Sequence, residues 1–145
     1  MGTIVVGVDG SPGSLAALAW AVHEALTRGA TVRAVTAWEF PQESSFGAMT
    51  TAGDFHPVVA AEEVLLKALA DVGVSDQDDS VTTAPVEGQP AEVLIAEAQD
   101  ADLLVVGSRG HGTLVGMLLG SVSQYVAAHS PCPVVVIQPG TPDGQ

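Results

Sequence analysis

The sequence is poor in positive charge. Only 4 lysine and arginine residues stand against 17 aspartate and glutamate residues in the 145-residue chain, which gives a formal net charge of −13. An acidic surface repels phosphate backbones and anionic lipid headgroups, so nucleic acid and membranes are disfavoured as partners. The same field repels free nucleotide, so a nucleotide site would have to rely on local dipoles and a bound cation.

Cysteine and long apolar runs are also scarce. Cys132 is the only cysteine, which excludes an internal disulfide and favours a reducing compartment. The first residues carry no basic leader, and their apolar run is too short for a secretory core or a membrane span. We therefore expect a cytoplasmic protein with a single domain over residues 1–145, a length that buries a core without disulfides or a structural metal.

Several groups typical of enzymes are missing as well. The sequence contains no Gly-Lys-Ser or Gly-Lys-Thr, so it lacks the lysine of a Walker-type NTPase site. Its histidines are not accompanied by clustered carboxylates, and we predict no metal-ligating residues. Spacing alone distinguishes no Ser-His-Asp triad from chance combinations, and we predict no catalytic residue.

What the sequence does contain is a regular alternation of strand and helix patterns. Short, mostly apolar runs typical of parallel strands alternate with segments whose apolar residues recur at helical spacing. Strands are predicted over residues 3–8, 31–38, 80–86, 102–106 and 133–138, and helices begin near Ser11, Val58, Pro90 and Gly120. This order predicts an α/β fold with an open five-stranded parallel sheet and helices on both faces.

Two segments of this pattern carry more specific expectations. The apolar stripe of the first helix is predicted to comprise Leu15, Leu18, Ala19, Val22, Ala25 and Leu26. Pro85 and its polar neighbours favour an edge position for the third strand. Residues Glu39 to Pro57 interrupt the alternation, and a loop of this length is either a functional lid or a disordered connection.

The most informative segment extends from Gly107 to Ser121. Its fixed positions are Gly107, Gly110, Gly120 and Ser121, which follow the spacing Gly, two residues, Gly, nine residues, Gly, Ser. The segment follows a predicted strand and leads into a predicted helix. Glycines let the backbone approach a phosphate, and a helix N-terminus offers unpaired N–H groups with partial positive charge. The segment therefore predicts a phosphate site.

Asp9 follows the first strand at the same edge of the predicted sheet. In such sheets ligands bind beyond the carboxyl ends of the strands, where the winding direction reverses. If the reversal lies between the first and fourth strands, Asp9 and the glycine segment face one crevice, and the carboxylate could accept hydrogen bonds from ribose. Capping of the first helix, or of the turn before it, explains Asp9 equally well.

These features resemble the ATP-binding subgroup of the universal stress protein family. The resemblance covers the whole chain, and it includes Asp9, the stretch Gly-Ser-Arg-Gly-His-Gly, the stretch Gly-Ser-Val-Ser from Gly120, and a late Pro-Cys-Pro-Val-Val-Val. It implies a Rossmann-like sheet with strand order 3-2-1-4-5 and ATP, accompanied by Mg²⁺, as the ligand. It also implies a homodimer through the last strand, Pro133 to Gln138, whose apolar edge would otherwise invite aggregation.

The resemblance also implies which residues contact the nucleotide. Adenine would lie against the backbone near Val35, with Gly7 and Val8 lining the pocket, and Asp9 would contact the adenosine. Backbone N–H groups and serine hydroxyls would bind the phosphates; these residues are Gly110, Gly120, Ser121, Val122 and Ser123. Both serines could instead be ordinary helix caps. Gly107 begins this segment, and Arg109, its only cation, points at phosphate or at solvent.

The resulting functional hypothesis is an ATP-binding module of a stress response. We expect ATP to be held and hydrolysed slowly or not at all, because the sequence offers no obvious base or arginine clamp that would position water. Two alternatives stay open. One is a weak enzyme that hydrolyses ATP or transfers its phosphoryl or adenylyl group, and the other is a dimeric interaction protein whose glycine loop serves only the turn.

Overall fold

Strands and helices alternate along the chain as the sequence predicts. The computed structural model describes residues 2–40, 56–75, 77–109 and 119–138. The strands are β1 (Thr3–Gly7), β2 (Thr31–Trp38), β3 (Val81–Glu87), β4 (Leu103–Gly107) and β5 (Val134–Ile137). The helices are α1 (Pro12–Arg28), α2 (Pro57–Asp71), α3 (Pro90–Glu97), which continues into a 3₁₀ turn (Ala98–Asp100), and α4 (Ser121–His129).

The strands form one parallel sheet in the order β3-β2-β1-β4-β5. The chain moves outward from β1 through β2 to β3 and then returns to the other side of β1 for β4 and β5. The winding direction therefore reverses between β1 and β4. The prediction of an open five-stranded parallel sheet in this order is confirmed, as is the edge position of the third strand.

Helices cover both faces of this sheet. Because successive side chains on a strand point to opposite faces, β1 contributes Ile4 and Val6 to one core and Val5 to the other. The first core includes Leu18 of α1 and Leu65 of α2. The second is formed with residues of α3 and α4. The two cores therefore lie on opposite faces of the sheet.

Helix α1 packs closely on the sheet because its buried face carries small side chains. Ser11 caps its first turn, and Gly29 ends it in the left-handed conformation with φ 70°. The buried residues are Gly13, Ser14, Ala17, Leu18, Ala21 and Ala25. The predicted stripe was too wide: Ala19 is exposed, and Leu26 is 75% exposed because it follows Ala25 by one residue and lies about 100° around the helix.

The segment from Glu39 to Pro57, interpreted as a lid or a disordered connection, lies mostly outside the described residues. Only Glu39, Phe40, His56 and Pro57 belong to them, and Pro57 begins α2. In the part of the chain that the structure describes, no helix has the length and apolar character needed to cross a membrane.

Candidate functional site

A pocket of about 320 Å³ opens at the carboxyl edge of the sheet, where β1 and β4 diverge. This volume is in the range of small-molecule sites. The predicted site residues in its lining are Gly7, Val8, Asp9, Val35, Gly107, Arg109, Gly120, Ser121, Val122 and Ser123. Gly110, also predicted, lies outside the described residues. The fold thus brings all the described candidates together, while their contact with a nucleotide stays a prediction.

One wall of the pocket is apolar. Its side chains come from four elements, with Val35 and Ala37 from β2, Leu94 from α3, Val106 from β4 and Val122 from α4. Aliphatic walls of this kind suit a flat aromatic ring, because the ring faces need no hydrogen bonds. Contacts from separate elements also hold such a ring in a defined orientation.

Sequence reasoning missed part of the pocket. The additional lining residues are Ser11, Ser14, Ala37, Pro90, Leu94 and Val106. Ala37 could have been found, since it lies two residues after Val35 and therefore on the same side of β2. Leu94 could not, because its position depends on how α3 packs over β1.

Two pocket glycines are closely packed, and one of them lies against rigid backbone. A Cβ atom on Gly7 would lie 2.9 Å from Cδ1 of Leu94. A Cβ atom on Gly107 would lie 2.7 Å from both the carbonyl carbon and the oxygen of Gly13 in α1. Gly107, expected to let the backbone approach phosphate, thus also allows the N-terminus of α1 to pack against the end of β4.

The backbone of β2 is already hydrogen-bonded near the predicted adenine position. The Val8 N–H donates to the Val35 carbonyl at 2.8 Å, and the Thr36 hydroxyl donates to the Val8 carbonyl at 2.8 Å. The Val35 carbonyl therefore already accepts a hydrogen bond from the neighbouring strand segment. Ala37 is the next pocket-lining residue of the strand, beyond these bonds.

A network of short hydrogen bonds forms the polar rim beside α1. The Asp9 Oδ1 atom accepts from the Ser11 N–H at 2.9 Å and from the Ser11 hydroxyl at 2.5 Å. The Ser11 hydroxyl oxygen accepts from the Ser14 N–H at 3.2 Å and thereby caps the helix. Asp9 thus closes the turn before α1, as the capping interpretation predicted. It also lines the pocket, which the ribose-binding interpretation requires.

The N-terminus of α4, in contrast, has no side-chain cap. Its N-cap residue is Gly120, and the first intrahelical bond from an N–H is that of Gln124 to the Gly120 carbonyl at 3.0 Å. The N–H groups of Ser121, Val122 and Ser123 consequently have no acceptor within the helix. Three described helices, α1, α3 and α4, begin at the pocket. The lining residue at the start of α3 is Pro90, which has no N–H, whereas α4 lines the pocket with three first-turn residues whose donors are available for an anion.

The junction between β4 and α4 uses some of the donors expected to face phosphate. The Gly120 N–H donates to the Ser108 carbonyl at 2.6 Å. The hydroxyl of Ser123, a residue only 3% exposed, donates to the carbonyls of Gly107 at 2.6 Å and Ser108 at 3.0 Å. The Ser121 side chain is different: its residue is exposed, and its hydroxyl has no hydrogen-bond partner within the described residues.

Charge is sparse around the pocket. Among the described lining residues, Arg109 is the only lysine or arginine and Asp9 the only carboxylate. No group of three or more histidine, cysteine, aspartate or glutamate side chains within those residues could hold a metal ion.

Known proteins share this sequence pattern over nearly the whole chain. The family model described as "Universal stress protein family" matches residues 1–138. The chain belongs to the universal stress protein family. Universal stress protein Rv2623 of Mycobacterium tuberculosis is 37% identical over 134 residues, which are 92% of this chain and 44% of that protein. The chain thus spans about half the length of several curated relatives that it matches.

Another universal stress protein, from Thermus aquaticus, is similar in length. It is 34% identical over 138 residues, which are 94% of this chain and 98% of that protein. Solved structures of universal stress proteins share the fold. The structure of UspA from Lactobacillus plantarum is 23% identical in sequence and has a TM-score of 0.77. The match covers 94% of this chain and 97% of the UspA chain. The structure of a universal stress protein in complex with cAMP is 33% identical in sequence and has a TM-score of 0.65. The match covers 94% of this chain and 95% of that protein's chain.

Proposed function

We propose that this universal stress protein binds an adenine nucleotide in the pocket between β1 and β4, and that it acts in the cytoplasm as a nucleotide-dependent module of a stress response. The observation that carries the proposal is the division of the pocket lining into two chemically different parts. Aliphatic side chains form one part, and the backbone N–H groups at the uncapped N-terminus of α4 form the other. A nucleotide has the same division into an aromatic base and an anionic phosphate.

This division supports one orientation of the ligand. The base would lie against Val35, Leu94 and the other apolar side chains, and the ribose hydroxyls would donate to Asp9 at the rim. The phosphate would accept from the N–H groups at the start of α4, with Arg109 beside it. The N-terminus of α1 is a poorer phosphate site, because the Ser11 hydroxyl already accepts the Ser14 N–H.

The expected ligand is ATP with Mg²⁺. A triphosphate brings more negative charge than Arg109 and the helix dipole of α4, equivalent to about half a unit charge, can balance. The residues fit the nucleotide, and Mg²⁺ would be held through phosphate oxygens and water rather than by a protein carboxylate cluster. When bound, Mg²⁺ would neutralise phosphate charge that the acidic protein otherwise repels.

A second candidate is a nucleotide of lower charge. The similar universal stress protein solved with cAMP supports it, and a singly charged cyclic phosphate matches Arg109 and the α4 N-terminus without a metal. Mass spectrometry of ligand released from freshly purified protein would identify the natural occupant. Calorimetric titration with ATP, with and without Mg²⁺, and with cAMP would rank the candidates. Failure of folded protein to bind any of them would overturn the proposal.

We propose binding rather than rapid catalysis. Asp9 is the only carboxylate among the described pocket residues, and its Oδ1 atom is occupied by two hydrogen bonds from Ser11. A base able to activate water is therefore missing from that part of the site. ATP turnover would be compared between the wild type, Asp9→Ala and Gly120→Val. Multiple turnovers that both substitutions abolish would instead support the weak-enzyme hypothesis.

We also propose a homodimer through the last strand. In the described part of the sheet β5 is an edge strand, and its valines and isoleucine are only partly buried. A second copy could pair with this edge and cover the apolar side chains. Sedimentation analysis should show a dimer at micromolar concentration, and a strictly monomeric protein would contradict this proposal.

A further inference from the structure

We infer that the Ser123 hydroxyl is a positioning group that fixes the N-terminus of α4 against the end of β4 and so sets the affinity for the phosphate part of a nucleotide. The inference rests on the proposed function. It assigns different roles to the two serines of the Gly-Ser-Val-Ser stretch: Ser121 presents its hydroxyl to the ligand, and Ser123 holds the helix that presents the donors.

The hydrogen bonds of Ser123 carry the inference. A hydroxyl has one hydrogen to donate, and Ser123 directs it to two carbonyls at the end of β4, those of Gly107 at 2.6 Å and Ser108 at 3.0 Å. The residue is 3% exposed. Its hydroxyl hydrogen is therefore committed within the protein, and a phosphate oxygen would have to compete with two carbonyl acceptors to receive it.

The same bonds tie the two ends of the glycine segment together. The Ser108 carbonyl accepts from the Ser123 hydroxyl and also from the Gly120 N–H at 2.6 Å. The Ser108 N–H donates in turn to the Ile137 carbonyl of β5 at 2.7 Å. The first turn of α4 is thus joined to the sheet through Ser108, whatever the path of the residues between Arg109 and Leu119.

Positioning matters here because the phosphate donors are backbone N–H groups. The N–H groups of Ser121, Val122 and Ser123 cannot adjust to a ligand by rotating a side chain. They move only with the helix. Loss of the Ser123 hydroxyl would remove one donor from the Gly107 carbonyl and would leave the Gly120 N–H bond to the Ser108 carbonyl as the remaining tie of this turn, which would loosen it. The base-binding wall, formed largely by β2, α3 and β4, would be affected less.

The test compares a nucleotide with its nucleoside. In Ser123→Ala we expect AMP to bind about three- to tenfold more weakly, while adenosine changes by less than twofold. Ser123→Thr keeps the hydroxyl, so its ratio of AMP affinity to adenosine affinity should be close to that of the wild type. Ser130→Ala is the matched control, because the Ser130 hydroxyl donates to the Cys132 carbonyl at 2.8 Å just beyond the other end of α4. It should leave the ratio unchanged.

Hydrogen exchange of the ligand-free protein gives a second readout. Exchange of the Gly120 amide should accelerate in Ser123→Ala and stay near wild type in Ser130→Ala, because only the first substitution frees the junction. An unchanged ratio of AMP to adenosine affinity in Ser123→Ala, in a wild type that binds AMP, would overturn the inference alone. Absence of all nucleotide binding by the wild type would overturn the proposed function and this inference with it.

Discussion

At the scale of single residues, Gly107 shows how a motif position can serve packing and binding at once. Its place in the glycine pattern suggests only close approach of a phosphate. In the structure its missing side chain makes room for the backbone of Gly13, so that α1 can approach β4. Sequence spacing identifies such a position but does not identify the neighbour that requires it, because Gly13 is distant along the chain.

Replacement of Gly107 by alanine should therefore destabilise the fold. The new Cβ atom would be 2.7 Å from the Gly13 carbonyl, and rigid backbone has to shift to accept it. We expect a loss of about 1–3 kcal/mol in the free energy of unfolding, together with weaker AMP binding because both displaced elements border the pocket. Urea unfolding and calorimetry measure the two effects.

Gly29→Ala is the control for that substitution. Gly29 has φ 70° but no atom within 4 Å of an added Cβ, and it lies at the end of α1 away from the pocket. Strain in the left-handed conformation should lower stability by about 1 kcal/mol and leave AMP affinity unchanged. Equal stability of Gly107→Ala and the wild type would contradict the packing role of Gly107.

One substitution can separate the structural role of Asp9 from its proposed binding role. In Asp9→Asn the amide oxygen can still accept from Ser11 and close the turn, whereas the negative charge is lost. We expect stability within about 0.5 kcal/mol of wild type and adenosine binding weaker by roughly tenfold, since hydrogen bonds to charged acceptors are the stronger ones. If Asp9→Asn bound adenosine as tightly as the wild type, the role of Asp9 would be limited to closing the turn before α1.

At the scale of elements, the sequence predicts what local patterns encode. Residues 31–38 are rich in β-branched side chains, and the strand has those bounds in the structure. Ser11 and Gly29 likewise mark the ends of α1. The apolar wall was only partly predicted, because Leu94 and Val106 reach the pocket through the packing of α3 and through the sheet order. Such contacts between distant segments have no local signature.

The uncapped N-terminus of α4 predicts opposite effects of an introduced carboxylate on stability and on phosphate binding. Ser121 is exposed in the first turn of uncapped α4, so Ser121→Asp should interact favourably with the helix dipole and stabilise the protein by about 0.3–1 kcal/mol. The same charge would occupy the phosphate side of the pocket. AMP affinity should fall by at least tenfold, while adenosine affinity changes little.

Ser121→Ala removes the hydroxyl without adding a charge, so it separates the effect of the lost hydroxyl from that of the carboxylate in Ser121→Asp. It should reduce AMP affinity only about two- to fivefold, the effect of one hydrogen bond, without stabilising the helix. Thermal unfolding and titration with both ligands measure these outcomes. If Ser121→Asp bound AMP as tightly as the wild type, the start of α4 would not be the phosphate site.

At the scale of the whole molecule, the net charge of −13 opposes the ligand that the pocket favours. The repulsion is long-range and acts through solvent, so salt screens it: the Debye length falls from about 30 Å at 0.01 M to about 8 Å at 0.15 M. In the proposed complex the attraction is local, because the N–H groups of α4 would contact the phosphate directly and would be screened much less. Added salt should therefore remove more repulsion than attraction.

The measurable consequence is an inverted salt dependence. Without Mg²⁺, the association rate of ATP should rise as an inert salt is increased from about 0.01 to 0.15 M, whereas that of adenosine should stay constant. At a nucleotide site with a positive field, the association rate of ATP would instead fall as salt is increased. Mg²⁺ should flatten the response, since it neutralises the phosphates before they meet the protein. A rate for metal-free ATP that falls with salt would mean that the field at the pocket is positive, and that cations around the glycine segment, rather than backbone donors, attract the phosphate.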